Sequence, residues 1–141
     1  MHHLLSTEDR AFRTQLESCE IPPAEFNHRA HLRLAYVYLT EHDTETAYQR
    51  MRDALERFLE HNGVDASKYH DTMTRAWILA VRHFMEKTPG AGSSDSFIEQ
   101  NPAMLDSKIM LTHYSAEVLF SNEAREGFVE PDLDPIPRYR E

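Results

Sequence analysis

Apolar side chains recur every three or four positions through four long segments of the chain, and this spacing is typical of amphipathic helices. Only four glycines occur in 141 residues, whereas alanine, leucine, glutamate and arginine, which favour helices, are frequent. No run alternates apolar and polar residues convincingly enough to predict a strand. The expected fold class is therefore all-α, a compact helical bundle of four main helices with short C-terminal helices appended.

Capping residues and helix breakers predict where these helices begin and end. The four main helices are expected over about residues 7–19, 28–41, 44–62 and 67–86. Shorter helical turns are expected from about residues 95, 106, 115 and 121. The Gly- and Ser-rich segment 88–94 is interpreted as a flexible connection inside a single domain spanning residues 1–141. The proline-rich tail from about Pro131 is expected to lie extended on the surface or to hang free.

The charge and composition exclude several classes of protein. The net charge is −9 and no basic stripe is present, which argues against nucleic-acid binding because the surface repels phosphates. No apolar segment reaches the roughly 20 residues that span a membrane, and the N-terminal residues lack the pattern of a signal peptide. A single cysteine allows no internal disulfide. We expect a cytoplasmic protein with no membrane partner.

Histidines supply the main indication of a functional site. His28 and His31 are three residues apart at the start of the second predicted helix, so they are neighbours on its surface. His70 lies on the apolar face of the fourth predicted helix, and His113 follows an apolar run before the last short helices. Glu25 precedes His28 by about one turn. Histidines seldom lie on an apolar helix face without a partner, so this pattern predicts a buried polar site.

A metal ion is the first candidate for that partner. Neutral imidazole is the commonest side-chain metal ligand, and helical bundles hold metals through side chains on facing helices. His28, His31, His70 and His113 are the predicted ligands of a single zinc, iron, nickel or copper ion. His113 and Glu25 are the predicted catalytic residues, His113 as a proton-transfer group and Glu25 as a ligand or as the partner of an imidazole. The protein would then be a metal-dependent enzyme that acts on a small molecule.

Four further residues are candidates for contact with a substrate. Tyr69 and Asp71 flank His70, and Tyr114 follows His113, so each would hydrogen-bond a substrate or a bound water near the predicted site. Arg75 is the candidate for an anionic group, with a surface salt bridge as the alternative role.

Other hypotheses explain the same residues without a metal. The histidines would recognise a small anion in a metal-free binding module, or they would act with a carboxylate as acid and base. Alternatively each histidine caps a helix or hydrogen-bonds a backbone carbonyl, and the chain is an interaction protein. Its proline-rich tail would then dock on a partner or on a second copy of the chain, which makes a homo-oligomer a further expectation.

Three short motifs carry a resemblance to a known family. Residues 26–32 (FNHRAHL), 68–72 (KYHDT) and 113–115 (HYS) resemble those of a family of uncharacterised small bacterial α-helical proteins. The resemblance implies a bacterial protein with an all-α fold. It implies no activity, cofactor or substrate.

Overall fold

The computed structural model describes residues 2–139, and it confirms the all-α fold class. Within these residues the α-helices are α1 Thr7–Glu17, α2 His28–Glu41, α3 Thr44–His61, α4 Asp71–Lys87, α5 Ser94–Gln100, α6 Ala116–Leu119 and α7 Asn122–Glu126. Short 3-10 turns span Pro23–Glu25, Ala66–Lys68, Pro102–Leu105 and Ser107–Thr112. Two-residue strands, β1 His2–His3 and β2 Gly90–Ala91, pair in parallel. No helix in residues 2–139 has the length and apolar character needed to cross a bilayer.

The first three helices begin where the capping signals predict. The side chains of Ser6, Asn27 and Asp43 each accept a hydrogen bond from a backbone N–H group in the first turn of α1, α2 and α3. In α1, the Asp9 carboxylate also accepts from the backbone N–H of Ser6, which completes a capping box. Local hydrogen bonding thus sets the starts of these helices.

The start predicted for the fourth helix is wrong by four residues. Ser67 lies inside the 3-10 turn, where its backbone N–H donates to the Asp65 carboxylate at 2.8 Å. The N-cap of α4 is His70, whose Nδ1 accepts from the backbone N–H of Met73 at 3.1 Å. Asp65 caps the 3-10 turn Ala66–Lys68, and this turn therefore precedes the start of α4 at Asp71.

Helix α2 lies at the centre of the fold and packs against α1, α3, α4 and α5. Its residues from Leu34 to Leu39 are all buried, which is why its apolar stripe is unusually broad. A second apolar cluster forms on the other side of α4, where Leu79 and Ala80 pack with Tyr114, Leu119 and Ile136. The short C-terminal helices are therefore held by α4.

The proline-rich tail lies on the protein surface and does not hang free. The backbone N–H of Leu133 donates to the carbonyl of His113 at 2.9 Å, and the Tyr114 hydroxyl donates to the carbonyl of Val129 at 2.6 Å. Ile136 is buried in the second cluster. These bonds tie the tail to its own chain.

The connection over residues 88–94, expected to be flexible, is held by hydrogen bonds at Ala91 and at Ser94. The backbone N–H of Leu4 donates to the carbonyl of Ala91 at 2.8 Å, next to the paired strands. The backbone N–H of Ser94 donates to the buried Asp9 carboxylate at 2.9 Å, and Arg33 Nε donates to the same carboxylate at 3.1 Å. Burial alone would raise the pKa of Asp9, but hydrogen bonds from Ser94, Ser6 and Arg33 outweigh it and hold that pKa below its ordinary value.

Candidate functional site

An apolar pocket of about 370 Å³ lies where the N-terminal ends of α2 and α4 meet the C-terminal end of α3. Its volume falls in the range of roughly 300–1,000 Å³ that is typical of small-molecule sites. The walls are mainly aromatic and aliphatic. They include Phe26, Leu32, Met51, Leu55, Phe58 and Trp77. The turns before α2 and α4 add Pro23 and Lys68 to the residues that the helices contribute to its lining.

His31 is the polar group of greatest interest in this lining. Its ring stacks on Phe26 with 4.2 Å between the centroids, and neither ring nitrogen has a hydrogen-bond partner among residues 2–139. Burial, with a smaller contribution from the nearby His28, lowers the pKa of His31 to about 4. The imidazole is therefore neutral near pH 7 and presents one hydrogen-bond donor and one acceptor.

The other three predicted ligands donate to backbone carbonyls. His28 Nε2 bonds to the carbonyl of Met104 at 2.8 Å, and the ring meets Trp77 edge-on at 4.8 Å between centroids. His70 accepts at Nδ1 as the N-cap of α4, so the proton lies on Nε2, which donates to the carbonyl of Leu119 at 2.6 Å.

His113 belongs to a different part of the molecule. Its Nδ1 bonds to the carbonyl of Asp134 at 2.8 Å and so fastens the C-terminal tail. It also lies close enough to His83 to contribute, after burial and Lys87, to the lowered pKa of that residue. His113 does not line the pocket that His31 and His70 share.

This donor set does not fit a metal ion. In the described part of the chain, no group of three or more His, Cys, Asp or Glu side chains is placed to hold one. The four predicted ligands do not converge: only His31 and His70 line the pocket, and both ring nitrogens of His70 already have backbone partners. Binding of zinc, iron, nickel or copper stays a prediction from the sequence alone.

Of the predicted substrate-binding residues, Tyr69 lines the pocket and Asp71 lies behind it. Asp71 is buried, with 4% of its surface exposed, and its Oδ1 accepts from the hydroxyls of Tyr48 at 2.5 Å and Tyr69 at 2.8 Å. Arg52 Nη1 lies 3.8 Å from the same oxygen. Burial and the Asp71 carboxylate raise the pKa of Tyr69, so its hydroxyl stays protonated and keeps donating. Asp71 thus positions one wall of the pocket.

The remaining predicted residues lie outside the pocket. Arg75 Nη2 bonds to the Glu45 carboxylate at 2.8 Å, as the salt-bridge alternative proposed, and its guanidinium lies over the ring of Tyr48 at 4.8 Å. Tyr114 is fully buried, and Val129 provides the acceptor for its hydroxyl. Glu25 is exposed on the turn before α2 and borders a separate, smaller cavity.

The sequence interpretation missed two important lining residues, Lys68 and Phe58. Phe58 lies on an apolar helix face, where the spacing alone is typical of core, and Lys68 lies next to Tyr69 and His70 in a turn where the sequence predicts a helix. The available signal for Lys68 is its position directly before Tyr69 and His70 at a helix start. The spacing of Trp77 is also typical of core, although it follows His70 at two helical turns.

Comparison of the chain with protein-family models, with curated proteins and with solved structures found no match.

Proposed function

We propose that this protein binds a small organic molecule, without a metal ion, in the pocket that contains His31. The observation that carries the proposal is the neutral His31 ring, which lines an apolar pocket and has no hydrogen-bond partner among the described residues. Neither ring nitrogen of His31 is among the fully buried, unpartnered atoms of the described residues, so both can be reached from the pocket. A ligand that hydrogen-bonds to this ring gains a net contribution of roughly 0.5–1.5 kcal/mol on binding.

The walls indicate that the rest of the ligand is apolar and preferably aromatic. Phe26, Phe58 and Trp77 provide ring faces and edges, which favour offset or edge-on contacts with another ring. Met51 and Met73 add flexible, polarizable side chains that adapt to irregular shapes. Removing such a ligand from water stabilises the complex by roughly 25 cal/mol per Å² of apolar surface buried.

The proposal concerns binding and names no reaction. The predicted pairing of an imidazole with a carboxylate as acid and base needs the two groups close together, and the two predicted carboxylates are elsewhere. Asp71 lies behind Tyr69, and Glu25 faces the smaller cavity. His31 is thus supported as a recognition group.

Filling the pocket is expected to abolish binding while keeping the fold. The buried Ala35 lines the pocket, so Ala35→Leu puts a larger side chain into empty space and should keep or raise the melting temperature. Trp77 is the only tryptophan in the sequence, so its fluorescence reports on the pocket wall. A suitable probe is 4-bromobenzyl alcohol, an aromatic ring with one hydroxyl and a bromine that quenches indole fluorescence on contact.

The wild-type protein is expected to show saturable quenching, and Ala35→Leu only the weak linear quenching of random collisions. Ala116→Leu makes the same change at an exposed position of α6 and should behave as wild type. Saturable quenching that survives in Ala35→Leu, or its absence from the wild-type protein, would contradict the proposal.

A further inference from the structure

We infer that the ligand of the His31 pocket is a monoanionic organic acid, whose apolar body lies among the aromatic walls and whose carboxylate faces Lys68. This inference rests on the proposed function, because it concerns the chemical class of ligand for the same pocket.

Lys68 is the only charged residue in the lining of this pocket among residues 2–139. It is exposed at the end of the 3-10 turn, and its ammonium group makes no hydrogen bond or ion pair with a described residue. Asp65 is close enough to Lys68 for that charge to help lower its pKa, but the larger influence is the hydrogen bonding of its carboxylate to Ser67. Elsewhere Arg33 and Arg75 have carboxylate partners.

No carboxylate is part of the described lining, although the chain contains 24 Asp and Glu residues and has a net charge of −9. The N-terminal ends of α2 and α4 both lie at this end of the bundle, and the partial positive charge of a helix N-terminus favours an anion there. The side chains of Asn27 and His70 cap these ends, so the helices add a background field and Lys68 provides the direct contact.

A single negative charge suits this pocket better than the two charges of a phosphate. Glu56 and Glu60 border an adjacent hollow, on the other side of Leu59, Val64 and Tyr69, and weaken the attraction of any anion to Lys68. The cost of removing a group from water rises steeply with its charge, and the lining offers only one cation among the described residues to offset it, so a monoanion is favoured. The neutral His31 ring then donates to a carboxylate oxygen without adding charge.

The experiment compares 4-bromophenylacetate with 4-bromophenylacetamide, which have nearly the same shape and differ by one charge, using Trp77 quenching. The wild-type protein should bind the acid about five-fold more tightly than the amide, as expected for an ion pair of about 1 kcal/mol. Lys68→Gln should reduce the affinity for the acid to that for the amide and leave amide binding unchanged. Lys108→Gln removes an exposed lysine outside the pocket lining and should bind both probes as wild type does.

The possible failures are distinguishable. If the wild-type protein binds acid and amide equally, or if Lys68→Gln keeps the preference for the acid, the inference about the ligand is wrong and the binding function stands. If neither probe quenches Trp77 saturably, the proposed function fails together with the inference. Because Lys68 is exposed, its variant should melt within about 2 °C of wild type, which separates a loss of charge from a loss of fold.

Discussion

Replacing Asp71 with alanine is expected to lower the free energy of unfolding by about 3 kcal/mol, because it removes a buried acceptor that serves several donors. The hydroxyls of Tyr48 and Tyr69 both donate to Asp71 Oδ1, and Arg52 lies 3.8 Å from it. The alanine removes the acceptor of both hydroxyls in a region that is only 4% exposed at Asp71, while Arg52 keeps its bond to Glu56. It also removes a carboxylate from the first turn of α4, where the helix dipole favours a negative charge.

Urea denaturation of Asp71→Ala and of Asp53→Ala provides the measurement. Asp53 is exposed on α3 and has no hydrogen bond or ion pair with a described residue, so its replacement should change the free energy of unfolding by less than about 0.5 kcal/mol. The double variant Tyr48→Phe with Asp71→Ala should cost less than the sum of the single changes, because both break the same bond. Equal effects of Asp71→Ala and Asp53→Ala would show that the tyrosine–aspartate network does not hold the pocket wall.

Acidification is expected to destabilise the protein through His31. Its pKa is about 4 in the folded protein and near 6.5 in an unfolded chain. Above about pH 6.5 the ring is neutral in both states, and the free energy of unfolding does not depend on it. Between these values the unfolded chain binds the proton and the folded protein does not, so stability falls with falling pH, by up to roughly 3 kcal/mol. The lowered pKa values of His70 and His83 act in the same direction.

Replacing His31 with leucine should remove most of this acid sensitivity. The variant should also be more stable than wild type near pH 7, by about 1 kcal/mol, because an apolar group replaces a polar one that has no partner in the pocket. Urea denaturation at about pH 7 and about pH 4.5 measures both effects, with His61→Leu, at an exposed position, expected to retain the wild-type dependence. A His31→Leu variant that is less stable than wild type at both pH values would show that the imidazole is structural.

Much of the fold could be predicted because the signals are local. The side chains of Ser6, Asn27 and Asp43 bond to N–H groups two or three residues ahead, so the starts of α1, α2 and α3 can be recognised in the sequence. The start of α4 was missed because its cap is His70, whereas Ser67 is the more usual capping residue.

The histidines show why the site was harder to predict. The sequence indicated correctly that His28 and His70 lie at helix starts and are partly buried. Their partners are the carbonyls of Met104 and Leu119, which are 76 and 49 residues away along the chain. Every residue has a backbone carbonyl, so the sequence does not show whether a histidine bonds to a carbonyl or binds a metal.

The pocket itself depends on how the apolar faces of separate helices meet in the folded protein. The periodicity shows that Phe58 and Trp77 belong to apolar faces, and both are interpreted equally well as core. Whether two such faces close on each other or leave a space depends on the angle between α3 and α4 and on the turn that joins them. Neither is encoded in a local pattern, so the sequence could not predict the pocket that surrounds His31.

The most direct test of a ligand site at His31 is the ¹⁵N NMR spectrum of the histidine side chains during a titration with 4-bromophenylacetate. Binding in the pocket predicts that the ring nitrogens of His31 shift in a saturable way, while those of His113, which is outside the lining and bonds to the carbonyl of Asp134, keep their positions. The account would be contradicted if His31 stayed unchanged at saturating probe, or if zinc in place of the probe shifted all four histidines together.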